Sequence, residues 1–69
     1  MKVSTRNILS GTVRTVAKGP VSTEVTIAIA PGVEIVAVIT TNSAETLGLA
    51  PGRAVHALIK ASSVMVGVD

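Results

Sequence analysis

The side chains able to do chemistry in this chain are mostly hydrogen-bond donors gathered in short strings. Ser4-Thr5-Arg6-Asn7 stands near the amino end, Thr40-Thr41-Asn42-Ser43 past the middle, and Lys60-Ala61-Ser62-Ser63 near the carboxyl end. Hydroxyls, a guanidinium, an ammonium and the backbone N–H groups of small residues all donate. Of the four carboxylates, Glu24, Glu34, Glu45 and Asp69, only Glu45 stands close to a string. Six Lys and Arg against four Asp and Glu leave a formal charge of +2, a mild bias toward anions.

Catalysis finds little to work with. There is no cysteine and one histidine, His56, which cannot build a zinc site by itself. No Ser-His-acid set, usable carboxylate pair or Gly-rich phosphate loop of the usual forms is present. A binding protein is expected, not an enzyme. Nucleic acid is a poor partner. Lys2, Arg6, Arg14, Lys18, Arg53 and Lys60 are scattered singly, whereas a nucleic-acid footprint gathers basic residues into a patch. The chain also has no Phe, Tyr or Trp on which bases could stack. A ligand-free structural or interaction protein remains the alternative.

Each donor also has an ordinary explanation. Lys60 is a solvated charge near a strand end, and Arg6 an arm residue or an intersubunit ion-pair partner. Thr40 and Ser43 flank a helix start, where capping alone calls for them. Residues 18–23 are a simple hairpin loop, and His56 is a packed or interfacial strand residue.

Gly and Pro divide the chain into five extended stretches, at about residues 7–17, 21–30, 33–40, 53–60 and 64–68, with one short helix between the third and fourth. In the second stretch Val21, Val25, Ile27 and Ile29 alternate with Ser22, Glu24 and Thr26, the pattern of a half-buried strand. Pro31-Gly32 is a turn signal that returns the third strand as a hairpin. That third strand is apolar on both faces, with Ile35, Ala37 and Ile39 opposite Val36 and Val38, and so needs cover on both sides. Asn42-Ser43-Ala44-Glu45 reads as a capping box with Asn42 as the N-cap, and Gly48 as the residue past the helix end. This order predicts an all-β, five-stranded OB-type barrel as one domain over residues 1–69.

A chain of 69 residues buries only roughly 60% of its unfolded surface, so its core is marginal alone. Without cysteine there are no disulfides, which leaves oligomerisation as the stabilising device. The composition agrees: 48% of residues are hydrophobic, only 14% are charged, and a monomer would leave aliphatic patches bare. No apolar run approaches the ~20 residues of a membrane span, and nothing resembles a signal peptide, so a cytoplasmic address is expected.

Ser4-Thr5-Arg6-Asn7 with Leu9 and Gly11 resembles the opening S-x-R-N-x-L-x-G of the molbindins, the Mop family, whose domain is the TOBE version of the OB fold. Ile59-Lys60-Ala61-Ser62-Ser63-Val64-Met65 is similar to that family's closing string, except that Ser63 stands where an acidic residue is common. Ile39-Thr40-Thr41-Asn42-Ser43 and Leu47-Gly48 match its strand-to-helix passage, so the resemblance spans the whole chain. It implies intracellular binding and storage of molybdate or tungstate at subunit interfaces of a homohexamer, with no organic cofactor. It further implies a primary site of Ser4, Arg6, Lys60 and the backbone of Ala61, completed by Thr40 and Ser43 of a neighbouring subunit. A second anion site at Lys18, Gly19, Ser22 and Thr23 is also implied.

Overall fold

The computed structural model describes residues 1–69. Its elements are β1 (Asn7–Lys18), β2 (Ser22–Ala30), β3 (Val33–Thr40), a helix α1 (Thr41–Thr46), β4 (Ala54–Ile59) and a 3-10 turn at Ala61–Ser63. The strands form one antiparallel sheet in the order β3-β2-β1-β4.

The long first strand organises the sheet. Its first half pairs with β4, from Asn7↔Ile59 to Thr12↔Ala54, and its second half with β2, from Thr12↔Ala28 to Lys18↔Thr23. Leu9, Gly11 and Val13 face inward, then a bulge at Arg14 shifts the phase so that Val16 returns to the inside. One extra residue bends a strand and increases its twist, which curls this sheet toward a barrel. The displaced Arg14 projects outward and forms an ion pair with Glu34 on β3.

Position 11, three residues before the bulge, is glycine for a steric reason. A Cβ there would lie 2.5 Å from the carbonyl oxygen of Ala28 and 2.9 Å from side-chain carbons of Ile27 and Ile29. Gly11→Ala is therefore expected to destabilise the fold by about 1–3 kcal/mol, the usual cost of overpacking. Urea denaturation at matched protein concentration checks this, and an unshifted midpoint would contradict the close approach.

The core is small. Val13, Val25, Ile27 and Ala57 are buried and pack together, while Ala44 of α1 is buried where the helix meets the sheet. Only 7 of 69 residues are buried, too few for a comfortable monomer. As the alternation predicts, Ile35, Ala37 and Ile39 of β3 turn inward, leaving Val36 57% and Val38 69% exposed.

Three expectations need correction. The sheet has four strands, not five. After the 3-10 turn, residues 64–69 pair with no strand, and Met65, Val66 and Val68 are more than 90% exposed. β3 and β4 are thus open edges. Between them lies an apolar trough of about 590 Å³ lined by Ile27, Ile35, Ile39, Leu49, Val55 and Ala57, among others.

The helix N-cap is Thr40, not Asn42: the Thr40 hydroxyl accepts the Ser43 N–H at 3.0 Å. Extended backbone at Thr40 ends β3 and starts α1 in the same residue, so the cap falls two positions earlier than the sequence pattern implied. Glu45 does not reach back as in a capping box but pairs with Lys18 at 2.6 Å. Val21, expected on the buried face, is 73% exposed because β2 begins one residue later and Thr23 takes the buried position.

The helix end matches expectation. Gly48 has φ 63°, and Gly48 N–H and Leu49 N–H bond to the carbonyls of Glu45 and Ala44. This is the Schellman arrangement, in which the left-handed residue lets two orphan carbonyls be satisfied.

Candidate functional site

The sheet register gathers the donor strings into two groups. The last β1–β4 pair is Asn7↔Ile59, which sets the string Ser4–Asn7 beside the string that opens at Lys60. At the far end of β1, the pair Ser22↔Thr40 sets the start of α1 beside the loop between β1 and β2. β1 has 12 residues, and at roughly 3.3 Å per residue its two ends lie on the order of 35 Å apart along the strand. Ser4, Arg6, Lys60 and Ala61 are therefore together, Thr40 and Ser43 are together, and one chain does not unite the two groups.

At the first end Ser4, Arg6, Lys60 and Ala61 are exposed, and neither cation is in an ion pair with a carboxylate. Lys60 precedes the 3-10 turn, whose first N–H groups are capped by no side chain. This end thus presents two unpaired positive charges, a serine hydroxyl and the backbone donors of a turn. Thr5 is not among the expected ligands, yet its hydroxyl donates to Ile59 O at 2.9 Å and accepts the Asn7 N–H at 3.3 Å. Its only sequence signal was a hydroxyl between two candidate ligands.

At the second end the Thr40 hydroxyl donates to Ser43 Oγ at 2.7 Å while accepting the Ser43 N–H. The Ser43 hydroxyl keeps its own hydrogen free to donate outward. The neighbouring loop is pinned to the helix start. Thr41 N–H bonds to Val21 O at 2.8 Å, and the Thr41 hydroxyl donates to Gly19 O at 2.6 Å. Thr23 Oγ, fully buried, lies 2.8 Å from Thr41 Oγ, so with the Thr41 hydrogen already given to Gly19 it is Thr23 that donates. Of the second expected group, Lys18 is engaged with Glu45, Gly19 with Thr41, and Thr23 is inside; Ser22 is the exposed free hydroxyl. His56 is exposed, its Nδ1 lying 3.2 Å from Ser10 Oγ, with no acid completing a catalytic set. No helix is long and apolar enough to cross a membrane.

A curled antiparallel sheet with donors at both ends and a short helix at one of them defines a small OB-like binding domain. The chain belongs to the TOBE domain family, whose model matches residues 3–66, and within it to the molybdenum-pterin-binding proteins. Molybdenum-pterin-binding protein 3 of Clostridium pasteurianum is 41% identical over 96% of this chain and 97% of its own length. MopA of Rhodobacter capsulatus is 52% identical over 96% of this chain. The chain spans about a quarter of MopA, as it does of the molybdenum transport protein ModE of Azotobacter vinelandii. Among solved structures, the cytoplasmic molybdate-binding protein ModG with molybdate bound superposes with a TM-score of 0.93. It is 46% identical, over 100% of this chain and 49% of that one.

Proposed function

We propose that this chain is a non-catalytic, cytoplasmic binder of molybdate-type oxyanions, molybdate or tungstate, which it stores at seams between its own copies. Ser4, Arg6, Lys60 and the Ala61 backbone come from one copy, and Thr40 and Ser43 from its neighbour. The observation that carries this reading is the division of donors between the two ends of β1, which only contact between copies can bring together. The names of its relatives, molybdenum-pterin-binding and molybdate-binding proteins, supply the ligand class. A second site at Lys18, Gly19 and Ser22, with buried Thr23 fixing the loop beneath them, is part of the proposal.

The chemistry suits the ligand. Molybdate is a tetrahedral dianion offering only acceptor oxygens, so it wants a cage made of donors. Hydrogen bonds from charged groups are roughly twice as strong as neutral ones, which favours a site containing Lys60.

Assembly is the other half of the proposal. The trough between β3 and β4 is open, Val36 and Val38 are bare, and Val64–Val68 is an exposed apolar segment paired with no strand. The tail of a second copy has the length and chemistry of a fifth strand for that trough, and it would complete the expected barrel between subunits. Six copies form the complete assembly that the family resemblance implies, with residues 1–69 acting as one domain.

Calorimetry with native mass spectrometry tests the ligand class. Molybdate and tungstate should bind comparably, and sulfate at least about tenfold more weakly, a difference of about 1.4 kcal/mol. The smaller sulfate cannot reach every donor together. Phosphate should also bind poorly near neutral pH, because its protonated form brings a donor that the cage cannot accept. Sulfate binding equal to that of molybdate would reduce the protein to a generic anion binder.

A further inference from the structure

We infer that Thr5 is a positioning residue of the oxyanion site: its hydroxyl ties the arm carrying Ser4 and Arg6 to the strand end carrying Lys60. The inference rests on the site proposed above. The β1–β4 ladder stops at Asn7↔Ile59. Beyond that pair, residues 4–6 lie outside any strand and Lys60 leads into the 3-10 turn, so no backbone ladder sets the distance between the two strings.

The Thr5 hydroxyl does so instead. By taking the Asn7 N–H and donating to Ile59 O, it touches both members of the last pair and carries the antiparallel contact one step further. Its neighbours in sequence are Ser4 and Arg6, and the residue after its acceptor is Lys60. The bond therefore spans 54 positions to join the two halves of one proposed ligand set. Thr5 is half-buried while Ser4 and Arg6 on either side are exposed, so the tether is sheltered and the ligands are open. Branching at Cβ restricts the rotamer of Thr5 and helps hold the hydroxyl on its acceptor. An anion then meets donors already set at their spacing and need not order a loose arm on binding, the usual gain of preorganisation.

The test compares the full chain with Thr5→Val, which keeps the shape and removes the hydroxyl, and with Thr5→Ser, which keeps the hydroxyl. Molybdate affinity is measured by calorimetry, Asn7 amide exchange without anion by NMR, and assembly by sedimentation. Thr5→Val should bind molybdate about three- to tenfold more weakly, because it loses both hydrogen bonds of the tether and part of their worth then falls on binding. It should also expose the Asn7 amide to faster exchange while leaving assembly unchanged. Thr5→Ser should restore affinity to within about twofold of the parent, because the same hydrogen bond can form. Parent-like affinity in Thr5→Val, no rescue by Thr5→Ser, or a loss that accompanies dissociation of the assembly would each overturn the positioning role. A parent chain that binds no molybdate would overturn the oxyanion reading as well, whereas tight parent binding with an indifferent Thr5→Val removes this inference alone.

Discussion

A chain ending at Ser63 is expected to lose the assembly that the parent should show at micromolar concentration. Residues 64–69 pair with no strand of their own chain, and Val64, Met65, Val66 and Val68 are between 51% and 94% exposed. Burying one such side chain stabilises by roughly 1.5–3 kcal/mol. Losing two of them from each contact already weakens association by about two decades or more. Each subunit's fold is weakened with the assembly, because only 7 of 69 residues are buried and the trough between β3 and β4 is left without a neighbour's tail. Sedimentation velocity should show dissociation, and circular dichroism a drop in melting temperature that depends on protein concentration. Molybdate binding should disappear with assembly, since the two donor groups lie at opposite ends of one chain. A truncated protein that assembles and melts like the parent would rule out the tail as the intersubunit strand.

The second large effect is expected at Lys60. Lys60→Ala removes a charge-assisted hydrogen bond worth roughly 1.5–3 kcal/mol, so molybdate affinity should fall about ten- to a hundredfold. Folding and assembly should survive, because the side chain is exposed and makes no ion pair. Lys18→Ala is the control. Lys18 closes the far end of β1 with its ammonium engaged by Glu45 of α1, and its loss should leave the primary site almost untouched. The diagnostic comparison is calorimetry of both variants under identical salt. Parent-like binding in Lys60→Ala with loss in Lys18→Ala would move the primary site to the loop between β1 and β2.

Much of this molecule is legible from local pattern. Alternation of Val25 and Ile27 with polar neighbours marked β2, Pro31-Gly32 marked its turn, and Gly48 marked the end of α1. Each feature depends on the period of side chains or on the φ of one residue, which a short window contains. The two-sided apolar character of β3 announced a need for external cover, and Val36 and Val38 are indeed bare in the single chain.

What stayed hidden depends on partners distant in sequence. Val64–Val68 has the composition of a strand, but a strand exists only where it lies beside an edge, and after the 3-10 turn it pairs with neither open edge of its own sheet. The capping pattern at Asn42–Glu45 was locally plausible, yet β3 runs directly into Thr40, and Lys18 competes for Glu45 from across the fold. Thr5 showed only a hydroxyl. Its role as a bridge to Ile59 arises from the β1–β4 register, which brings together residues 54 positions apart. Side-chain type and spacing could therefore name the donor strings, but only strand register could decide that they belong to opposite ends of one sheet.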